Sequence, residues 1–197
     1  MRNALRIVIA SRNQHKLREL EGLLAPHTLE PLPESVTLPP EDGETFADNA
    51  LIKARAAAAA TGGPAFADDS GIVVPALGGA PGVRSARYAG PSATDEENLR
   101  KLLDEMADEE DRRAAYVCVL ALVDAGGTER LFEASCQGRL VHVPRGSNGF
   151  GYDPAFVPDD IDGPERTMAE LDPSEKDAIS HRGRAARIMA AALEDMR

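Results

Sequence analysis

The sequence predicts an α/β fold, and the distribution of its apolar residues carries the prediction. Apolar runs at Leu5 to Ala10 and Phe66 to Val74, and two more around Ala125-Gly126-Gly127, have the length and side-chain type of strands. Elsewhere leucines and alanines recur at helical spacing. The chain has 197 residues, 43% of them hydrophobic, which is enough for one sizeable core and too little to demand two. The reading is therefore a single domain over residues 1–197, with two lobes. Aromatic residues make up only 4% and Trp is absent, so the core must be built from Ala, Val, Leu and Ile.

Taken in order, Leu5 to Ala10 is a buried strand, and Leu17, Leu20 and Leu24 then mark a helix. Pro31 to Gly43 is rich in prolines and acids and reads as a loop. Thr45 can cap a helix through Phe46, Ala50, Leu51, Ala54 and the alanine run Ala56 to Ala60. Gly62-Gly63-Pro64 and Pro75 bound the strand Phe66 to Val74. Leu77 to Gly82 is a glycine-rich turn without nucleotide-loop spacing. Thr94-Asp95-Glu96-Glu97 opens a surface helix predicted to run to Glu110. Tyr116 to Val123 and Leu131 to Val143 form a hairpin. Pro173 to Ile179 starts a helix, and a last one carries Ala185, Ile188, Ala192 and Met196 on its apolar face.

A net charge of -11 argues against nucleic acid polymers, whose binding draws most of its affinity from a basic footprint. A mononucleotide needs only a local cationic cluster, so it stays open. Cys118 and Cys136 lack CxxC spacing and a signal peptide, which points to reduced cysteines of a cytoplasmic protein. The run Leu5 to Ala10 is too short to span a membrane.

The residues with chemical potential are few. Asp68 and Asp69 are adjacent in a strand, so they point to opposite faces, and each buried carboxylate needs a cation or donors. A divalent metal would serve, and so would solvent at a strand bend. Ser11-Arg12-Asn13-Gln14-His15-Lys16 is a strand-to-helix turn, where free backbone N–H groups, the helix dipole and the charges of Arg12 and Lys16 suit a phosphate. Asn49 and Lys53 share a helix face, which by spacing alone is a solvated one. Glu41 and Glu44 lie in the loop before it, within reach of a metal held by the aspartates. The loop Gly149-Phe150-Gly151-Tyr152-Asp153-Pro154 sets two aromatics among glycines, where they can stack on a base or plug the core. Lys176, His181 and Arg182 form a donor-rich group at a helix junction.

Six of these stretches occur together in one order: Ser11 to Lys16, Thr45-Phe46 with Asn49-Ala50 and Lys53-Ala54, Ala67 to Gly71, Leu77 to Gly82 with Ser85-Ala86-Arg87-Tyr88, Phe150 to Pro154, and Ser180-His181-Arg182. The set resembles the non-canonical purine nucleoside triphosphate pyrophosphatases, the inosine triphosphatase family. The resemblance implies an α/β fold with a long central mixed β-sheet, helices, and two lobes flanking a nucleotide cleft. It implies a homodimer that uses Mg2+ to hydrolyse ITP, dITP and XTP to the monophosphate and pyrophosphate. Carried over by position, Ser11, Asn13 and Lys16, with the intervening Arg12, Gln14 and His15, hold the triphosphate, helped by Lys53. Asp69 binds metal and acts as base, with Asp68 and Glu41 as further metal ligands and Glu41 preferred over Glu44. Ser70, Phe150, Gly151, Tyr152, Asp153, Lys176, His181 and Arg182 hold the nucleotide. The family often has two acids just before the loop glycine, where this chain reads Pro40-Glu41-Asp42-Gly43.

Three other readings compete. A related house-cleaning pyrophosphatase would act on other modified nucleotides, and a non-catalytic sensor would bind without hydrolysis. An aspartyl-phosphate phosphatase would need its acids spaced as DxD, whereas Asp68 and Asp69 are adjacent.

Overall fold

The computed structural model describes residues 4–195. A six-stranded sheet carries the fold, in the order β2-β1-β3-β4-β5-β6, with β1 Arg6–Ile9, β2 Thr28–Pro31, β3 Ala65–Val73, β4 Arg113–Val123, β5 Glu129–Leu140 and β6 Phe156–Pro158. It is mixed: β1 runs parallel to both β2 and β3, and β5 is antiparallel to β6. Among the described residues five α-helices accompany it, α1 Gln14–Leu23, α2 Phe46–Thr61, α3 Asp95–Glu105, α4 Pro173–Ile179 and α5 His181–Asp195. The chain divides into two compact units, one of Met1–Asp69, Cys118–Ala134 and Arg182–Arg197, the other of Ser70–Val117 and Ser135–His181. The first division falls inside β3, between the two aspartates and Ser70.

In the first unit the strand alternation sorts the core into two clusters. Ile7, Ile9, Phe66, Cys118, Leu120 and Leu122 pack with Leu17, Leu20 and Leu24 from the α1 segment and Ala185, Ala186, Met189 and Leu193 of α5. Their neighbours Val8, Ala10, Ala65, Ala67, Val119, Ala121 and Val123 face Ala50, Ala54 and Ala57 of α2. These three small side chains let α2 lie close against the sheet. Its N-terminus is closed by a capping box in which the Thr45 side chain accepts from Asp48 N–H and Asp48 accepts from Thr45 N–H. In the second unit the core gathers Ile72, Val74, Leu99, Leu102, Met106, Tyr116, Cys136, Leu140, Tyr152 and Phe156.

Several elements differ from the sequence expectation. β2 lies in a stretch for which no element was expected, and like β6 and the 3-10 helices Asp153–Ala155 and Met168–Glu170 it is too short to leave a periodic signal. α3 ends at Glu105 instead of Glu110, because Met106 is fully buried and the acids beyond it have no apolar residue to anchor a further turn. On α5 the apolar face is Ala185, Ala186, Met189 and Leu193, with the predicted Ala192 packed against it, while Ile188 of the predicted face is 48% exposed. Met196 lies outside the described residues. Cys118 and Cys136 are both buried, and among the described residues they form no disulfide and no helix is long and apolar enough to cross a membrane.

Candidate active site

The alternation that sorts the core also sorts the two aspartates. Asp68 continues the Phe66 face of β3 toward α1 and α5, and Asp69 continues the Ala67 face toward α2. Each helix delivers a cation. Lys16 directly precedes Leu17, and Arg182 lies one turn before Ala185 and Ala186, so both reach Asp68. Lys53 shares the buried face of α2 with Ala50, Ala54 and Ala57, and its ammonium reaches Asp69.

Asp68 is completely enclosed. One oxygen accepts from Lys16 Nζ, and the other from Arg182 Nε at 2.9 Å and from the Cys118 thiol at 3.3 Å. Burial alone would raise its carboxyl, but Arg182 and Lys16 outweigh that and hold it well below the usual carboxylate range. The Arg182 guanidinium also donates through Nη1 to Glu19 at 2.6 Å. Burial pushes the Cys118 thiol far up, and the negative Asp68 adds to the effect. Of the three candidate metal ligands Asp68 therefore offers a cation the least room, since both its oxygens already face cations.

Asp69 differs. Its carboxyl is raised above the ordinary value because burial outweighs the attraction of Lys53, its main stabilising neighbour. Lys53 Nζ donates to Asp69 Oδ1 at 2.9 Å, to Glu41 Oε1 at 2.6 Å and to the Asp68 carbonyl at 2.8 Å, which uses all three ammonium hydrogens. Burial would lower the Lys53 ammonium, but Asp69 and Glu41 together raise it. Glu41, and not the exposed Glu44, is the loop acid that reaches this cluster.

Asn49 is the residue that the sequence reading undervalued. Its fully buried amide accepts from Gly43 N–H at 2.9 Å and donates to the Gly43 carbonyl at 3.4 Å, pinning the loop two residues after Glu41. A Cβ at Gly43 would lie 2.6 Å from Asp48 Cβ, so only glycine admits this approach. The signal was present as Asn49 and Lys53 four residues apart, but spacing cannot say that a polar helix face is buried.

The turn before α1 is less open than expected. Asn13 caps the helix, its Oδ1 accepting from His15 N–H at 2.9 Å and Lys16 N–H at 3.2 Å, so these donors are engaged. Ser11 Oγ accepts from Asn13 N–H. Arg12 donates to the Val36 carbonyl at 2.8 Å, His15 contacts Arg18, and Gln14 is exposed. Of this turn it is Lys16 that joins the carboxylates.

The second unit holds a separate cluster. Asp153 is 3% exposed and accepts from Lys176 Nζ at 2.8 Å, Phe150 N–H at 2.9 Å and Tyr116 OH at 3.1 Å. Lys176 Nζ also stands 5.0 Å from the partly buried Phe150 ring. Gly149 has φ +74, and a Cβ there would collide with the Asp153 carboxylate. Gly151 N–H donates to Asp95 at 3.0 Å. The two loop aromatics part company: Tyr152 is core, its hydroxyl donating to the Ser85 carbonyl at 2.7 Å, while Phe150 keeps an accessible face. His181 stacks on Tyr116. Ser70 sits partly buried in β3 next to Gly71, where a Cβ would strike Ser85 Oγ.

Residues 7–192 match the Ham1 family. A relative from Cutibacterium acnes, a dITP/XTP pyrophosphatase, is 51% identical over 196 residues, covering 95% of this chain and 96% of its own. The chain belongs to the Ham1 family. A second dITP/XTP pyrophosphatase, from Coxiella burnetii, is 46% identical over 97% of this chain and 98% of its own. Among solved structures, a HAM1 protein from Coxiella burnetii superposes with a TM-score of 0.86 at 45% identity, covering 97% of this chain and 99% of that one. The Staphylococcus aureus Ham1 protein does so with 0.87 at 39%, covering 98% and 100%. The motif resemblance and the α/β fold with a mixed sheet both hold for this Ham1 family chain.

Proposed function

We propose that this chain hydrolyses non-canonical purine nucleoside triphosphates, dITP, XTP and ITP, to the nucleoside monophosphate and pyrophosphate, with Mg2+, as a cytoplasmic homodimer. The observation that supports the reading most is Lys53, whose ammonium gathers Asp69 and Glu41 around one positive charge. Relatives at about half identity along nearly the whole chain are dITP/XTP pyrophosphatases.

The donor set fits a magnesium ion. Two hard carboxylate oxygens already face a common cation, and Mg2+ commonly takes one or two carboxylates and completes its shell with water and phosphate. Among the described residues no group of three or more His, Cys, Asp or Glu side chains is arranged to hold a metal. Asp69 and Glu41 would hold the ion, which when bound neutralises charge on the phosphate oxygens.

The chain's own residues do the rest. Lys16 presents its ammonium to a triphosphate, and Lys53, whose three hydrogens are held by Asp69, Glu41 and the Asp68 carbonyl, contributes through its positive charge alone; together they compensate the charge that spreads over the phosphate oxygens as the bond breaks. Asp69, whose carboxyl burial raises, takes a proton from the attacking water. The water oxygen bonds to the α-phosphorus, the bond to the bridging oxygen breaks, and pyrophosphate leaves with that electron pair. Asp68 serves as the buried counter-ion that keeps Lys16 and Arg182 in place. In the second unit, Phe150 offers a ring to stack on a purine, and Lys176 and His181 offer donors to a 6-oxygen. Adenine would set its amino group against those donors and leave them unpaired, which rejects it.

The test is a panel of dITP, XTP, ITP, dATP and dGTP with Mg2+ and with chelator. The reading expects kcat/KM for dITP and XTP to exceed that for dATP by about 10² or more, in the range set by unpaired buried donors. Equal rates on all nucleotides would contradict it.

A further inference from the structure

Tyr116, a β4 residue that strand propensity alone would explain, touches both parts of the donor group in the second unit. Its hydroxyl donates to Asp153 Oδ1 at 3.1 Å, while Asp153 Oδ2 accepts from Lys176 Nζ and from Phe150 N–H. Each oxygen thus has its own donors, and the carboxylate cannot turn without losing a partner. The face of the same ring lies 4.6 Å from the His181 ring at an interplanar angle of 6°, a stacked pair. Its edge meets Phe156 at 4.7 Å and 61°, which fixes the tilt of the Tyr116 ring against the core.

A side chain that only filled this core would need no hydroxyl. Burying one is unfavourable unless it is bonded, and here the bond goes to the carboxylate that orients Lys176. We propose that Tyr116 is a positioning residue for base selection, setting Lys176 through Asp153 and His181 through the stacked ring so that their donors meet one 6-oxopurine together. Resting on the function proposed above, this adds a residue that does not itself touch the base. The selectivity is a geometric property of two donors, and one rigid ring supplies their common reference.

Two substitutions separate the parts. Tyr116→Phe keeps the ring and removes the hydroxyl, and Tyr116→Leu removes both. The assay reads KM and kcat for dITP and dATP, together with the ring-proton NMR shifts of His181 in the ligand-free protein, which a stacked ring moves upfield. For Tyr116→Phe the expected result is a dITP to dATP ratio of kcat/KM lowered about three- to tenfold, the effect of one buried hydrogen bond. The change falls on KM for dITP, and the His181 shifts stay as in the parent. For Tyr116→Leu the upfield shift is lost and the ratio falls further. A discriminating parent whose ratio is unchanged in Tyr116→Phe overturns the inference and leaves the proposed function standing. A parent without preference for dITP overturns both. The Phe variant keeps the ring volume and decides the matter even where the Leu variant does not fold.

Discussion

Lys53 Nζ and Asp69 Oδ1 lie 2.9 Å apart, with Glu41 on the other side of the same ammonium. Lys53→Met keeps the length of the stem and removes the charge. The expected loss in kcat is about 10² to 10³, as for one preorganised electrostatic donor. Lys53 is also the chief influence lowering the Asp69 carboxyl against burial, so without it that carboxyl rises further. The acidic limb of the pH–rate profile should move to higher pH, and a limb that moves to lower pH would exclude Asp69 as the group seen.

Asp69→Asn leaves the size of the side chain and removes its charge and basicity. A loss of about 10² to 10⁴ in kcat is expected, the range for a removed general base, with thermal stability close to the parent because Lys53 keeps Glu41. Activity within about threefold of the parent would place the essential carboxylate elsewhere.

Asp68 should matter for stability. Asp68→Asn strips the buried counter-charge from Lys16 and Arg182, and breaking such a pair costs about 3–5 kcal/mol. The native carboxyl lies well below its unfolded value near 3.8, so its stabilising effect is complete above that value and is lost as pH falls through the folded one. Urea titrations of parent and variant should differ most at neutral pH and converge in acid. A gap that widens in acid would contradict the assignment.

Much of this site was legible because strand alternation is strict. Adjacent acids in β3 had to face opposite ways, and they do, one toward α1 and α5 and one toward α2. The helix cap at Thr45 and the hairpin turn, where Asp124 Oδ1 accepts from Gly126 and Thr128 N–H, follow from local chemistry in the same way. What spacing could not reveal is depth. Asn49 and Lys53 read as a solvated pair and are 0% and 6% exposed, because the helix face they share is set by which alanines meet the sheet. Arg182 read as one of the residues that hold the nucleotide, and nothing in its spacing announced that its Nε and Nη1 engage Asp68 and Glu19, acids 114 and 163 residues away in the chain. Such long-range pairings leave no local trace. β2 and β6, of four and three residues, are too short for any periodicity to be seen.

The Gly149 backbone should be intolerant. At φ +74 an alanine costs about 1–2 kcal/mol in backbone conformation, and its Cβ would drive into the Asp153 carboxylate. Gly149→Ala is expected to raise KM for dITP about fivefold or more, as roughly 1 kcal/mol of misplacement implies, with kcat less affected. An unchanged KM would show that the Asp153 and Lys176 pair lies apart from the substrate.

The identity of the products tests the central claim most directly. With dITP and Mg2+ in the absence of any added pyrophosphatase, the released species can be resolved by anion-exchange chromatography or phosphorus NMR. The account predicts dIMP and pyrophosphate in equal amounts from the first turnover. Orthophosphate with dIDP would contradict it.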